Sequence, residues 1–180
     1  RYRLNICSMG RLHKQKGFTD LVRGFHAIRE KFDCGLIIMG VGSERDVIYE
    51  AAKEMGVDEH LLLPGFVGNP WSVIKSCDVY CGSSKWEGFY LAAVEAMLCG
   101  TPCVLSDCDY GPREIVDHEL DGFLFPVGSI EELSDFVCRL LGDHDLANSL
   151  SVNALNKAKQ FSVEHAVRRH EAMYAEVLNC

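Results

Sequence analysis

Long apolar runs are missing from this sequence, and so is any excess of positive charge. No stretch approaches the roughly 18 uninterrupted apolar residues that a membrane-spanning helix requires, and the N-terminus lacks the apolar core of a signal peptide. Eighteen Lys and Arg stand against 26 Asp and Glu, a formal charge of −8, so the clustered cations that neutralise a nucleic-acid backbone are not available. No internal repeat, low-complexity tract or Pro/Gly/Ser-rich linker divides the chain. With 180 residues, 48% of them apolar, one compact domain over 1–180 with a core of ordinary size is expected, and its ligands are expected to be small molecules.

A disulfide framework is lacking as well. The nine cysteines are odd in number, and Cys7, Cys34, Cys81 and Cys103 sit inside apolar segments, where a free thiol behaves as a small buried hydrophobe. A reducing cytosol is the expected compartment. Cys77/Cys81 and Cys99/Cys103 raise the question of zinc, but their gaps fall within strand and helix patterns without the paired knuckles of a zinc site, so no metal is expected. The chain opens on Arg1-Tyr2-Arg3 rather than Met and runs straight into a strand pattern, as a piece of a longer protein would.

What is present is alternation. Short apolar runs recur at Leu4–Ser8, Gly35–Met39, Leu61–Leu63, Val79–Gly82, Pro102–Ser106 and Gly122–Phe125, with helical spacing between most of them. Phe18, Leu21, Val22, Phe25 and Ile28 fall on one helix face; Val47–Met55 and Glu131–Leu141 follow the same rule, with Gly56 and Gly142 read as C-caps. The pattern predicts an α/β fold, a Rossmann-like parallel sheet of about six strands with helices on both faces. After the last strand only helices remain (Ile130–Leu141, Asp145–Gln160 and Ser162–Leu178), read as a C-terminal helical tail.

In such a sheet ligands bind beyond the carboxyl ends of the strands. The first junction, 8–17, gathers Arg11, His13, Lys14 and Lys16 between glycines in an otherwise acidic chain; Arg11 and Lys16 are spaced to grip a diphosphate, although a solvated basic loop is the alternative. His13 by itself reads as a surface residue. The second junction, Gly40-Val41-Gly42, is a weak glycine signal that fits a tight turn. The third, Pro64-Gly65-Phe66-Val67-Gly68, has backbone groups that can flank a planar base, or is an ordinary strand-to-helix turn.

The fourth junction, Ser83 to Gly100, is the sharpest. Glu95 interrupts the apolar run Leu91–Leu98, where a buried carboxylate costs several kcal/mol unless it is hydrogen-bonded, and ribose hydroxyls would serve. Glu87 precedes a helix whose first-turn amides are expected at Gly88, Phe89, Tyr90 and Leu91, a ready anion site. The alternatives are a macrodipole neighbour for Glu87 and a structural ion pair for Glu95. A further loop, Ser106–Ile115, is placed to close over a ligand, unless Arg113 and Glu114 merely pair with each other.

Gly10-Arg11-Leu12 with Lys16-Gly17, two glutamates with seven residues between them (Glu87 and Glu95), and a closing helical tail together resemble the C-terminal donor-binding domain of the retaining GT-B glycosyltransferases of group 1, also called family four. The resemblance spans nearly the whole chain. It implies transfer of a sugar from a nucleoside diphosphate to an acceptor hydroxyl with retained configuration, without a metal or other cofactor. It implies that Arg11 and Lys16 neutralise the leaving diphosphate and that Gly10 and the segment Gly88, Phe89, Tyr90 and Leu91 hold phosphate and sugar. Glu95 would bind the ribose, Glu87 the sugar hydroxyls, and Gly42, Phe66 and Val67 would lie near the base. The run Ser106-Asp107-Cys108-x-x-Gly111-Pro112-Arg113-Glu114-Ile115 is similar to a subgroup that uses UDP-hexoses or UDP-N-acetylhexosamines in bacterial surface glycans. The acceptor, a glycan or lipid-linked sugar, would be held by an N-terminal domain that this sequence lacks, in a cytoplasmic enzyme peripheral to the inner face of the membrane.

Three rivals make different demands. A sugar-nucleotide epimerase fragment needs acid/base groups beside the sugar, and no convincing pair is present. A non-catalytic sugar-nucleotide sensor has no use for Glu87, which would then point away from the pocket. An NAD-dependent dehydrogenase needs G-x-G-x-x-G after the first strand, where this chain is basic instead.

Overall fold

Alternation within each strand decides which layer a side chain enters. The computed structural model describes residues 2–178; Arg1, Asn179 and Cys180 lie outside the described residues, and with them the first residue of the opening Arg-Tyr-Arg segment. Six strands, β1 Leu4–Met9, β2 Cys34–Met39, β3 Leu61–Gly65, β4 Val79–Gly82, β5 Cys103–Ser106 and β6 Phe123–Phe125, form one sheet in the order β3-β2-β1-β4-β5-β6. Every pairing is parallel. Ile6, Leu36, Ile38, Val79, Cys81 and Val104 feed one apolar cluster; their neighbours Cys7, Met39, Tyr80, Cys103 and Leu105 feed the other. Both faces are covered, as a parallel sheet requires.

Helices α1 Phe18–Arg29 and α2 Arg45–Glu54 cover the first face, while α3 Pro70–Lys75, α4 Leu91–Leu98 and the short α5 Pro112–Ile115 lie on the second. The α1 face buries Phe18, Leu21, Val22, Phe25 and Ile28, each contributing about 1.5–3 kcal/mol as an upper figure. Gly56 meets its expected role, in a left-handed conformation (φ +68°) just past α2.

Two expectations about the tail are corrected. Helix α6, Ile130–Gly142, packs on α1, and α7, His144–Ala158, packs on α4. They bury Leu133, Val137, Leu140 and Leu141, and Leu150, Ala154 and Ala158, so they complete the two helical layers and are no appendage. The spacing 133, 137, 140, 141 makes a stripe that can only be satisfied against another element. Gly142 does not cap α6 but belongs to it; the chain turns at Asp143, whose carboxylate accepts from the Leu146 amide at 2.9 Å and so starts α7. Helix α8, Val163–Leu178, has no buried residue among those described, and it leaves Val163, Val167, Met173, Tyr174 and Val177 exposed. Its expected start holds, because Ser162 Oγ accepts from the His165 amide at 3.2 Å.

Strand order reverses between β1 and β4, whose following helices leave to opposite faces. The crevice that opens at such a switch point is where a ligand finds backbone from both sides. Here it is narrowed by Gly17, which joins the 3-10 turn Lys14–Lys16 to α1 at φ +59°. A Cβ on Gly17 would lie 2.2 Å from the Ser83 carbonyl oxygen. Gly17→Ala is therefore expected to lower stability by at least about 2 kcal/mol through left-handed strain plus this collision. Gly56→Ala has comparable strain (φ +68°) but open space, and should cost less. Equal shifts in the two unfolding midpoints would show that the Ser83 backbone simply yields.

Candidate functional site

Backbone contacts lace the turn after β1 to the loop after β4. The Lys85 amide donates to the Gln15 carbonyl at 2.7 Å, Ser83 Oγ donates to the Lys16 carbonyl at 2.9 Å, and Gln15 Nε2 donates to the Trp86 carbonyl at 2.9 Å. On the other side the same turn meets the segment after β2: the Gly10 amide donates to the Met39 carbonyl at 3.0 Å and the Leu12 amide to the Val41 carbonyl at 2.9 Å. The glycines of Gly40-Val41-Gly42 serve that approach. A Cβ at Gly40 would fall 1.8 Å from the Gly10 oxygen, and one at Gly42 would fall 2.2 Å from the Leu12 oxygen, so this element is a backbone-to-backbone seam and not merely a tight turn.

These ties bring Lys16 and Glu87 together. Lys16 Nζ donates to Glu87 Oε1 at 2.5 Å, with side-chain exposures of 15% and 7%. Ser84 Oγ donates to the same oxygen at 2.6 Å. The Lys16 ammonium also stands 4.6 Å from the centre of the Tyr90 ring, a cation–π contact that helps hold it. Tyr90 is buried, and burial pushes its phenol up from the ordinary tyrosine range. Glu87 thus faces the basic turn instead of pointing away from it.

Beside this pair lies a pocket of about 710 Å³ between the turns after β1, β2 and β3. Gly10, Arg11, Gly42, Phe66 and Val67, far apart in sequence, all line it. Sequence reasoning missed Trp71, which also lines it and is half-exposed. A signal was there: Asn69-Pro70 is a helix-start pair, with Asn69 Oδ1 accepting from the Ser72 amide at 3.4 Å, and it puts Trp71 in the first turn of α3 at the carboxyl edge of β3. Phe66 is 81% exposed and Arg11 is exposed; neither is engaged in an ion pair or side-chain hydrogen bond among the described residues.

Two readings of the fourth junction change, and one of the loop Ser106–Ile115. Helix α4 begins at Leu91 with Tyr90 as its N-cap, so its first-turn amides belong to Leu91, Ala92 and Ala93, and Gly88, Phe89 and Tyr90 form a bend ahead of it. The Leu91 amide already donates to the Phe89 carbonyl at 3.0 Å. Glu95 is not buried: it lies between the exposed Leu91 and Leu98, at i and i+4, i+7 spacing on the outward face, while Ala93, Val94, Ala96 and Met97 point inward. Its side chain is half-buried and its carboxylate has no hydrogen-bond partner among the described residues. Arg113 does not pair with Glu114. It grips Asp107 through Nε and Nη2 at 2.6 and 2.5 Å, holding that carboxyl below its usual range, while Glu114 accepts from the Gly111 amide at 3.2 Å.

His13 is exposed and accepts from the Gln15 amide, as a surface cap would. A second depression, about 610 Å³ between α1 and α2, is lined by His13, Lys14, Gly17, Arg23, Lys85 and four acidic side chains of and around α2; Lys16, Ser84 and Glu87 do not line it. Cys81 and Cys103 lie fully inside the core, where burial pushes their thiols up. No three His, Cys, Asp or Glu side chains gather as a metal cluster among the described residues.

The architecture is that of one half of a GT-B protein, a doubly wound domain with its crevice at the β1/β4 switch point. The family model of glycosyl transferases group 1 matches residues 3–157, and the chain belongs to that family. It is 31% identical over 156 residues to the N-acetylgalactosamine-N,N'-diacetylbacillosaminyl-diphospho-undecaprenol 4-alpha-N-acetylgalactosaminyltransferase of Campylobacter jejuni, covering 87% of this chain and 42% of that protein. Among solved structures, the pneumococcal O-GlcNAc transferase GtfA in complex with UDP and GlcNAc has a TM-score of 0.87 at 21% identity, over 100% of this chain and 37% of that one. The C-terminal domain of a glycosyl transferase group 1 family protein (LpcC) from Francisella tularensis has a TM-score of 0.81 at 22% identity, over 90% and 88% of the two chains. At such identities the structural likeness establishes the fold. The chain spans about half the length of the curated relatives it matches.

The Lys16–Glu87 pair has a stability consequence. Lys16→Met leaves a mostly buried carboxylate without its cation and should cost about 3 kcal/mol. Adding Glu87→Gln should recover part of it, a coupling of about 1–3 kcal/mol in a denaturant double-mutant cycle. Strict additivity would mean that the two side chains do not interact in solution.

Proposed function

We propose that this chain is the donor-binding domain of a retaining glycosyltransferase. It would hold a nucleoside diphosphate sugar, with UDP as the nucleotide and a hexose or N-acetylhexosamine as the sugar, while another domain presents the acceptor hydroxyl of a surface glycan or lipid-linked sugar. The observation that carries this reading is the Lys16–Glu87 pair at the β1/β4 switch point, with the Lys16 side chain against Gly10, which lines the neighbouring pocket together with Arg11, Gly42, Phe66 and Val67.

The chemistry follows from charge. In transfer the bond between the sugar's anomeric carbon and the phosphate oxygen breaks, the diphosphate leaves with the electron pair, and the acceptor oxygen bonds the same carbon while its proton passes to the departing phosphate. Arg11 and Lys16, together with amides of the bend Gly88–Tyr90, stabilise the leaving charge more in the transition state than before it, which is what accelerates a reaction. Glu87 contacts the sugar hydroxyls. Glu95, with a free carboxylate at the outer edge of α4, accepts from the ribose, and Phe66, Val67 and Trp71 enclose the base. The scheme calls on no metal or other cofactor. The acetamido-sugar chemistry in the name of the Campylobacter relative supports an N-acetylhexosamine donor, and UDP in the GtfA complex supports the nucleotide.

Calorimetric titration of the chain with UDP, GDP, ADP and NAD in one buffer tests the reading. Saturable binding of UDP alone is expected; binding of NAD instead would turn the assignment to a dehydrogenase. Two substitutions test the roles. Lys16→Ala should weaken UDP more than uridine, and an equal loss would take Lys16 off the phosphates. Glu95→Ala should weaken UDP by about 1–3 kcal/mol; unchanged affinity in the folded variant would remove its ribose contact.

A further inference from the structure

Glu87 is held by one of its two oxygens. Both Lys16 Nζ and Ser84 Oγ donate to Oε1, at 2.5 and 2.6 Å, and Oε2 has no hydrogen bond among the described residues. Ser84 is fully buried, and it is fixed from two directions. Its carbonyl accepts from Ser106 Oγ at 2.5 Å, at the end of β5. A hydroxyl has one proton to give and a carboxylate can only accept, so the Ser84 proton goes to Glu87 Oε1.

We propose that Ser84 is a positioning residue for sugar recognition: by occupying Glu87 Oε1 from the buried side, it turns Oε2 toward the donor sugar. This rests on the donor-domain reading above and adds a residue to it. Lys16 cannot do this alone, because its ammonium is also the group that an incoming diphosphate attracts. Ser84 is uncharged and anchored to β5, so it stays on Oε1 whatever Lys16 does. A free carboxylate rotor would lose that aim on binding, at a cost in affinity for the sugar and not for the nucleotide.

The test is a ratio. The chain is titrated with UDP and with UDP-glucose, UDP-galactose, UDP-GlcNAc and UDP-GalNAc, and the affinity for the best sugar nucleotide is divided by that for UDP. Ser84→Ala should lower this ratio about five- to tenfold, the scale of one ordinary hydrogen bond. Ser84→Thr, which keeps the hydroxyl, should restore it. In a Glu87→Gln background, Ser84→Ala should change the ratio no further, the signature of a residue that acts through Glu87. Thermal unfolding is followed for each variant, and if Ser84→Ala does not fold, Ser84→Cys keeps the shape with a weak donor and carries the same expectation. An unchanged ratio in Ser84→Ala, an additional fall in the Glu87→Gln background, or a parent chain that binds UDP and every sugar nucleotide equally overturns the proposal while leaving nucleotide binding in place. A parent chain that binds none of these ligands sinks the donor reading itself, and the proposal with it.

Discussion

The approach of two backbones, the turn after β1 and the loop after β4, is the constraint on which the carboxyl edge of the sheet depends. Gly17 sits where a Cβ would be 2.2 Å from the Ser83 oxygen, and three hydrogen bonds among residues 15, 16, 83, 85 and 86 close the gap. Nothing larger than glycine permits that distance without movement of main chain. Everything chemical follows from it: Lys16 reaches Glu87, Tyr90 comes under the ammonium, and Ser84 is left buried behind the carboxylate. The topology makes the contact possible, since β1 and β4 are neighbours whose helices depart to opposite faces. The side chains then exploit a crevice that strand order alone had opened.

Much of this was legible in the chain before any coordinates. The run Val79–Gly82 coincides with β4, and the 3–4 spacing from Phe18 to Ile28 with the buried face of α1, because a short apolar run ended by glycine fits a buried strand and a 3.6-residue stripe fits a helix. The pairing of the basic turn with Glu87 was anticipated only as two sites on one ligand; their direct contact is a long-range fact, and no local pattern encodes it. Glu95 was misread for a related reason. An apolar run on either side suggests burial, yet on a helix whose exposed face carries Leu91 and Leu98 the same run continues into solvent, and hydrophobicity without a view of the neighbouring layer does not separate the two. The start of α4 slipped by three residues because Glu87-Gly88 resembles a cap, while the bend through Phe89 and Tyr90 is set by burial of the Tyr90 ring. Helix α6 was taken for tail because it follows the last strand; its stripe packs on α1, the first helix of the chain, at a sequence separation that periodicity does not register.

On the donor reading, the electrostatics of the site pose a problem that the geometry answers. Lys16 is already committed to Glu87, whereas Arg11 is exposed and has no ion-pair partner among the described residues. A diphosphate arriving beside Lys16 brings negative charge close to Glu87, and two like charges about 4 Å apart repel by about 4 kcal/mol at the effective dielectric of a protein surface. Lys16 can offset this only from between the two anions, shared by both. As the glycosidic bond breaks and charge collects on the leaving oxygens, the ammonium is drawn further toward phosphate, and that differential attraction is the catalytic one. The same displacement loosens the hold on Glu87 at the moment when its aim at the sugar matters most. A neutral donor that does not follow the phosphate resolves the conflict, and Ser84, tied by its carbonyl to Ser106 and by its hydroxyl to Glu87, is placed to be that donor.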